Sequence, residues 1–263
     1  VDFSRYNYFY AKYLNAVGQE KKAVNIITES LKKDPRNLLL NQLKSDLNNS
    51  EKNFDFDCKK QSHVISEFLY ITANVLSSQL IFDLSNFYLN LAKYLNEDFH
   101  GFDILMAENF YKINDFTNSK KIYEKLKSKG SAFKWYSHKQ ISRILTQQEM
   151  KDESIVLLQK AYDQLKYKGV YETFDYAEFL KNNEKFENSI NYYSDLLNLI
   201  DINHPLYAEA TDGRGVAYER LGEWKKAEKD LLNSLKAKPD QAYVMNYLAY
   251  SWIEKGIKIE ESL

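Results

Sequence analysis

The side chains that could bind a metal or react with a substrate are few in this sequence and form no recognisable motif. The four histidines are His63, His100, His138 and His204, and no two of them have the spacing of a metal site on one helix. None forms a motif with the single cysteine, Cys58. Because metal ligands usually occur in clusters of His, Cys, Asp or Glu, we expect surface or packing histidines and no metal site.

The lone cysteine is also a weak candidate for covalent chemistry. Lys59 and Lys60 follow Cys58, and neighbouring positive charge lowers the pKa of a thiol. The sequence supplies no second cysteine to resolve an oxidised form and no base beside this one. A single cysteine also excludes an intrachain disulfide and any cysteine-built metal site. We therefore interpret Cys58 as a residue without a catalytic role.

Two other patterns resemble catalytic or nucleotide-binding motifs but fail on context. Gly213 and Gly215 flank an arginine as in a phosphate loop, yet no strand precedes them and no third glycine follows. Carboxylates such as Glu219 and Glu223 are plentiful, but in the run 223–230 they alternate with lysines, which is typical of a solvated helix face. We expect no catalytic residue and no cofactor.

Composition disfavours an all-β protein. The chain has 263 residues, of which 8 are Gly and 3 are Pro, so the tight turns of an all-β fold are disfavoured. The formal net charge of −1 predicts no general attraction to nucleic acid. No apolar run approaches the roughly 20 residues of a transmembrane helix. We expect no transmembrane segment and a soluble protein, cytoplasmic or periplasmic.

A period of about 34 residues runs through most of the chain. Pro35 and Pro239 each follow a helical pattern and fix the phase. The resulting units begin at Ser4, Ser66, His100, Trp135, Val170, Ala208 and Ala242. In each unit the eighth position is small and the eleventh is large. The eighth positions are Ala11, Ala73, Ala107, Ser142, Ala177, Gly215 and Ala249, and the eleventh are Leu14, Leu76, Phe110, Leu145, Leu180, Tyr218 and Trp252.

Two positions in the second half of each unit repeat the same contrast. The twentieth positions are Ala23, Ser85, Ser119, Ser154, Ser189 and Ala227, and the twenty-fourth are Ile27, Leu89, Tyr123, Leu158, Tyr193 and Leu231. Two antiparallel helices approach closely only where small side chains face each other, and large neighbours fill the remaining space. The pattern therefore predicts helix hairpins that stack on one another.

The stretch 209–240, with Gly215, Tyr218, Gly222 and Ala227 at their places, resembles one tetratricopeptide repeat. The phrase at 246–252 resembles wording common in bacterial members of that family. The sequence departs from the family at position twenty-seven, where two units carry leucine, and lacks the usual tryptophan at position four. The resemblance implies an all-α, right-handed solenoid of antiparallel helix pairs.

We expect one continuous solenoid domain over 1–263. Its units are 4–37, 66–99, 100–134, 135–169, 170–207 and 208–241, with a partial unit at 242–263. The stretch 38–65 is irregular, with one helix at Leu38–Leu47 and a loop at 48–62. Because the sequence opens on Val1 and closes inside a unit, we expect it to be a piece of a longer protein.

The resemblance also implies a binding surface. In the family, positions two, five, nine and twelve of each first helix line a concave groove. The groove residues expected here are Tyr8, Lys12, Tyr70, Asn74, Glu108, Tyr111, Tyr136, Lys139, Arg143, Tyr171, Phe174 and Glu178. Tyrosine with Arg, Lys and Asn is typical of protein interfaces, although tyrosine is common throughout this chain. The carboxylate clamp of chaperone-binding relatives is not supported, because its Lys and Asn do not occur together.

We therefore expect a non-catalytic scaffold that binds a partner protein or peptide of unknown identity in its concave groove. An extended peptide with an acidic residue over Lys139 and Arg143 is the expected ligand. Two alternatives remain open. The chain could be the accessory repeat array of a larger enzyme, such as a glycosyltransferase or protease, or an assembly factor of the bacterial envelope.

Overall fold

The structure is a computed structural model and describes residues 4–48 and 55–258, which contain fourteen α-helices and no strand. The helices are α1 (Ser4–Ala16), α2 (Glu20–Lys33), α3 (Leu38–Asn48), α4 (Gln61–Ser78), α5 (Phe82–Leu95), α6 (Gly101–Lys112) and α7 (Phe116–Leu126). They continue with α8 (Ser131–Gln147), α9 (Lys151–Asp163), α10 (Val170–Asn182), α11 (Phe186–Leu197), α12 (Tyr207–Arg220), α13 (Trp224–Ala237) and α14 (Ala242–Glu254). None of these described helices is long and apolar enough to cross a membrane.

The helices form hairpins in the predicted phase, and the all-α repeat fold is confirmed. Each of the pairs α1/α2, α4/α5, α6/α7, α8/α9, α10/α11 and α12/α13 corresponds to one sequence unit, and α14 is the first helix of the last. Helix α3 resembles a first helix, and the next helix among the described residues is α4, another first helix. Part of the loop expected at 48–62 and the last residues of the partial unit, 49–54 and 259–263, lie outside the described residues.

The turn inside every hairpin adopts one backbone conformation at position fifteen of the unit. The residues there are Gly18, Leu80, Asn114, Glu149, Glu184, Gly222 and Gly256, with φ between +61° and +78°. In all seven, the next residue's N–H donates to the carbonyl of position eleven at 2.8–3.0 Å. This is the Schellman ending of a helix, which glycine adopts without strain. Four units adopt it with other residues.

The small positions eight and twenty meet where the two helices of a hairpin cross. Ser85 Oγ donates to the Ala73 carbonyl at 2.8 Å, and Ser119 Oγ donates to the Ala107 carbonyl at 2.9 Å. Ser154 Oγ makes the same bond to Ser142 at 2.7 Å. Serine at position twenty is thus small enough for the two helices to approach closely, and its hydroxyl finds a hydrogen-bond acceptor on the facing helix.

The chain divides into two compact units, Val1–Leu157 and Leu158–Leu263, and the border falls inside α9. That all repeats act as one continuous domain stays a prediction. The first unit has a large core that joins α1–α6, with buried Ile27, Leu40, Leu89 and Phe99. In the second unit, α10–α12 bury Tyr193 and Leu196, while Leu231 and Leu248 pack between α13 and α14.

Helices α1–α3, called here the N-terminal block, do not stack on α4 as the hairpin α4/α5 stacks on α6. The Arg5 side chain pairs with the carboxylate of Glu67 on α4. At the other end of the block, the backbone N–H of Ala132 donates to Gln42 Oε1 at 3.0 Å, which fastens α3 to the start of α8. Gly130, at φ +141°, leaves the space that the Gln42 side chain occupies.

Candidate functional site

The two expected groove residues of α1, Tyr8 and Lys12, are engaged within the chain. The Tyr8 hydroxyl and the Lys12 ammonium both bind the carboxylate of Asp55, and the Lys12 and Asp55 side chains are only 9% and 6% exposed. Burial lowers the pKa of Lys12, and Asp55 opposes part of that shift. Burial and Asp55 together raise the pKa of Tyr8. These side chains hold the N-terminal block to the segment before α4.

Tyr70 and Asn74 on α4 are also engaged within the chain. The guanidinium of Arg5 lies 4.0 Å from the centroid of the buried Tyr70 ring, while it pairs with Glu67. Asn74 Nδ2 donates to the Tyr70 carbonyl at 2.9 Å, but the residue itself is exposed. The groove positions of α1 and α4 therefore contact each other, because the N-terminal block covers this part of α4.

Helices α6–α8 bring four of the predicted residues together, with one more, in what we call the Arg143 cluster. It consists of Glu108, Tyr111, Tyr123, Tyr136 and Arg143. Glu108 Oε1 accepts from the Tyr123 hydroxyl at 2.9 Å and from the Tyr136 hydroxyl at 2.8 Å. Arg143 lies with its Cζ 4.0 Å from the centroid of the Tyr111 ring and its Nη1 4.0 Å from Glu108 Oε2.

The electrostatics of the Arg143 cluster leave a cation at the surface. Burial, followed by the influence of Glu108, raises the pKa of Tyr136, so its phenol remains a neutral donor. With Tyr123, it fixes the Glu108 carboxylate beneath the arginine. The Arg143 side chain is 47% exposed, and Lys139 lies one turn earlier on α8, half-buried. A planar guanidinium held against an aromatic ring can accept a carboxylate with two parallel hydrogen bonds.

The three predicted residues of the second unit differ in their surroundings. Tyr171 is half-buried with its ring 6.1 Å from that of His204, and Phe174 is buried in the core beside Tyr193. Glu178 accepts hydrogen bonds from the Tyr193 hydroxyl and from Lys181. Phe174 therefore contributes to packing, whereas Glu178 and Tyr171 reach the surface.

The surface near Glu178 is acidic. Asp212 on α12 has its pKa raised to about 6, first because burial removes water from its carboxyl and then because Glu178 and Glu209 are close; Lys181 opposes these effects. Gly213 follows it, and a Cβ there would lie 2.5 Å from the Tyr193 hydroxyl. Glycine thus gives the Tyr193–Glu178 pair room against α12.

Reading the sequence missed the tyrosines of these pairs as hydrogen-bond donors. Tyr123 and Tyr193 occupy position twenty-four, and their acceptors Glu108 and Glu178 occupy position nine of the same units. The four other complete units have an aliphatic residue at twenty-four and no glutamate at nine. That correlation was visible in the sequence. Asp55 had no such signal, because only the tertiary packing brings it to α1.

Comparisons with known proteins agree on the fold. No protein-family profile matches the chain, and no curated protein matches it. The C-terminal part of a tetratricopeptide repeat-containing protein from Cytophaga hutchinsonii matches with a TM-score of 0.52 and 16% identity, over 73% of this chain and 74% of that one. The chain has a tetratricopeptide-repeat fold. The anaphase-promoting complex hetero-tetramer Cut9–Hcn1 matches with a TM-score of 0.50 and 17% identity, over 92% of this chain and 49% of that one.

Proposed function

We propose that this tetratricopeptide-repeat chain is a non-catalytic binding module that holds an acidic, extended segment of a partner protein against α6 and α8. The Arg143 cluster is the observation that carries the proposal. Its arginine is fixed on a tyrosine ring and stays half exposed, as in binding surfaces where a few rigid aromatic and arginine side chains supply most of the affinity.

The direction of charge follows from the same contacts. The half-exposed Arg143 side chain, with its Nη1 4.0 Å from Glu108 Oε2, places a positive group at this surface, and a positive group favours an anion as its ligand. Both tyrosine hydroxyls bind Glu108 Oε1, whereas Oε2 lies 4.0 Å from Arg143 Nη1. The rest of the half-exposed guanidinium remains at the surface. A side-chain or C-terminal carboxylate fits that part of the guanidinium.

The test uses a peptide array in which each acidic peptide has a counterpart with every Glu and Asp replaced by Gln and Asn. The parent chain should retain acidic peptides and ignore their amide counterparts. The variant Lys139→Ala with Arg143→Ala should bind the same peptides at least tenfold more weakly, since each charged contact contributes about 1–3 kcal/mol. Lys121→Ala, on the exposed side of α7, is the matched control and should bind as the parent does.

Two results would contradict the proposal. One is a parent chain that does not distinguish acidic peptides from their amide counterparts. The other is a folded Lys139→Ala/Arg143→Ala variant that binds them as tightly as the parent. Circular dichroism of each variant shows whether the helices are intact, so a loss of binding through unfolding is recognised.

A further inference from the structure

The hairpin α4/α5 carries many apolar side chains that are exposed in the described part of the chain, residues 4–48 and 55–258. Eleven of the exposed large apolar side chains lie between Val64 and Tyr94. They are Val64, Ile65, Phe68, Ile71, Val75, Leu80, Ile81, Leu84, Phe87, Leu91 and Tyr94. With aromatic side chains offering about 150–250 Å² each, the exposed areas of these eleven side chains sum to roughly 1,000 Å², whereas the largest apolar patch on a typical monomer is ~300–600 Å².

One part of this surface is the side of α4 that faces the preceding repeat. In α6, α8, α12 and α14, positions three, six and ten are all buried or half-buried, because the second helix of the preceding hairpin packs there. In α4 the same positions are Phe68, Ile71 and Val75, which are 69%, 42% and 51% exposed. Only 12 residues (60−48) separate α3 from α4, whereas a whole second helix precedes each of the other four.

The other part is the outer side of α5. Leu84, Phe87, Leu91 and Tyr94 occupy positions nineteen, twenty-two, twenty-six and twenty-nine of their unit. In the five other complete units these four positions hold polar or charged residues, with Val156 as the single exception. The apolar character of α5 therefore belongs to this hairpin and is not a property of the repeat.

The turn between the two helices is apolar as well, at a cost. Leu80 adopts φ +63°, where the other units place Gly, Asn or Glu, and its side chain is 73% exposed. A leucine in this conformation is strained by about 1–2 kcal/mol, and burial among the described residues offsets little of it, since the side chain is mostly exposed. A partner that covers Leu80 would account for its presence.

We propose that the α4/α5 surface binds the same surface of a second copy of this chain, so that the protein forms a two-fold dimer. The exposed apolar area is close to the ~800 Å² per partner of a standard stable interface. A two-fold interface must also be compatible with itself. This face is nearly free of charge, since the only charged residue of α4, Glu67, is paired with Arg5, and α5 carries one residue of each sign.

The test is the molar mass of the chain in solution, from light scattering on a size-exclusion column and from sedimentation. At tens of micromolar the parent should give 62 kDa, twice the 31.0 kDa of one chain. Phe68→Glu with Phe87→Glu should give 31.0 kDa with unchanged circular dichroism, because both side chains are exposed in the single copy. Tyr243→Glu with Tyr250→Glu, on the exposed side of α14, is the matched control and should remain dimeric.

A second measurement locates the contact. In a Cys58→Ser background, a long flexible bifunctional thiol reagent should join two copies of Ile71→Cys, whereas Leu199→Cys, an exposed residue of the second unit, should not be joined. A parent chain that stays at 31.0 kDa up to ~100 µM, at which a standard-size interface should be populated, would overturn the proposal. So would a dimer that persists in the Phe68→Glu/Phe87→Glu variant. A monomer that binds an added amphipathic helical peptide through Phe68 would assign the surface to another protein. None of these results depends on the Arg143 cluster.

Discussion

Replacing Glu149 by glycine should stabilise the first unit, because Glu149 is held in a conformation that glycine adopts without strain. Its φ is +63°, at the position where three other repeats have glycine. A residue with a Cβ is destabilised by about 1–2 kcal/mol in this conformation. Glycine removes that strain, but its greater freedom in the unfolded chain costs about 0.5–1 kcal/mol of stability. The expected net effect of Glu149→Gly is about 0.5–1 kcal/mol of added stability.

Urea unfolding followed by circular dichroism measures this effect. The midpoint should rise while the slope with urea stays the same, and the melting temperature should rise by about 1–4 °C. Glu149→Ala removes the same carboxylate but keeps the strained backbone, so its stability should match that of the parent. Asn114→Gly should gain only a few tenths of a kcal/mol, because asparagine tolerates this conformation.

The reasoning fails if Glu149→Ala stabilises the protein as much as Glu149→Gly does, since the charge at the helix end would then be the cause. It also fails if Lys121→Gly, in the middle of α7, is not destabilised by about 1 kcal/mol, because glycine would then stabilise this protein wherever it is placed.

Three further effects follow from buried polar groups. Because the pKa of Asp212 is raised to about 6, its ionisation costs the fold stability as pH rises from about 4 to 6, so Asp212→Asn should add about 2–3 kcal/mol at pH 8 and almost nothing at pH 3.5 in thermal melts. Lys12→Met should lower the free energy of unfolding by about 3 kcal/mol, since it leaves Asp55 without its cation. Adding Asp55→Asn to this variant should recover part of the lost stability. If no stability is recovered, the loss is not caused by the unpaired charge. Tyr123→Phe should cost about 1 kcal/mol in urea unfolding through its bond to Glu108, and an unchanged midpoint would refute that.

Most of the fold could be predicted because the contacts within each helix hairpin join residues that are close in sequence. Small residues at positions eight and twenty, such as Ala107 and Ser119, mark where two helices cross within one hairpin, and the structure places them in contact. These contacts join residues only 12 positions apart, so the repeat pattern of one sequence is enough to predict them. The left-handed turn at position fifteen could be predicted at Gly18 and Gly222. It could not be predicted at Leu80 or Glu149, because residues with a Cβ disfavour a positive φ.

The sequence did not predict which of the groove positions contact other parts of the same chain. Positions two, five and nine line a groove only where successive first helices lie side by side. In the N-terminal block these positions include Arg5, Tyr8 and Lys12, and they meet Glu67 and Asp55, whose distance along the chain is 43–62 residues. No repeat pattern encodes those pairs. The Arg143 cluster was predictable in part, since its members are in adjacent repeats that keep the regular order.

A single irregularity accounts for both departures from the regular array: the connection from Asn48 to Gln61 is too short for the second helix that the other units have. Without that helix, α4 has no preceding hairpin to stack on, so the N-terminal block binds through its groove side instead, with Arg5 on α4 and Gln42 at the start of α8. The side of α4 that a second helix would cover then remains exposed at Phe68. If the exposed side were an accident of this arrangement, selection for solubility would favour polar residues there, as on the outer sides of the other second helices. The apolar residues continue instead through Leu80 and along α5, which the regular array would leave exposed in any case. The loss of one intramolecular neighbour thus explains why the surface exists, and its apolar composition is what the proposed dimer accounts for.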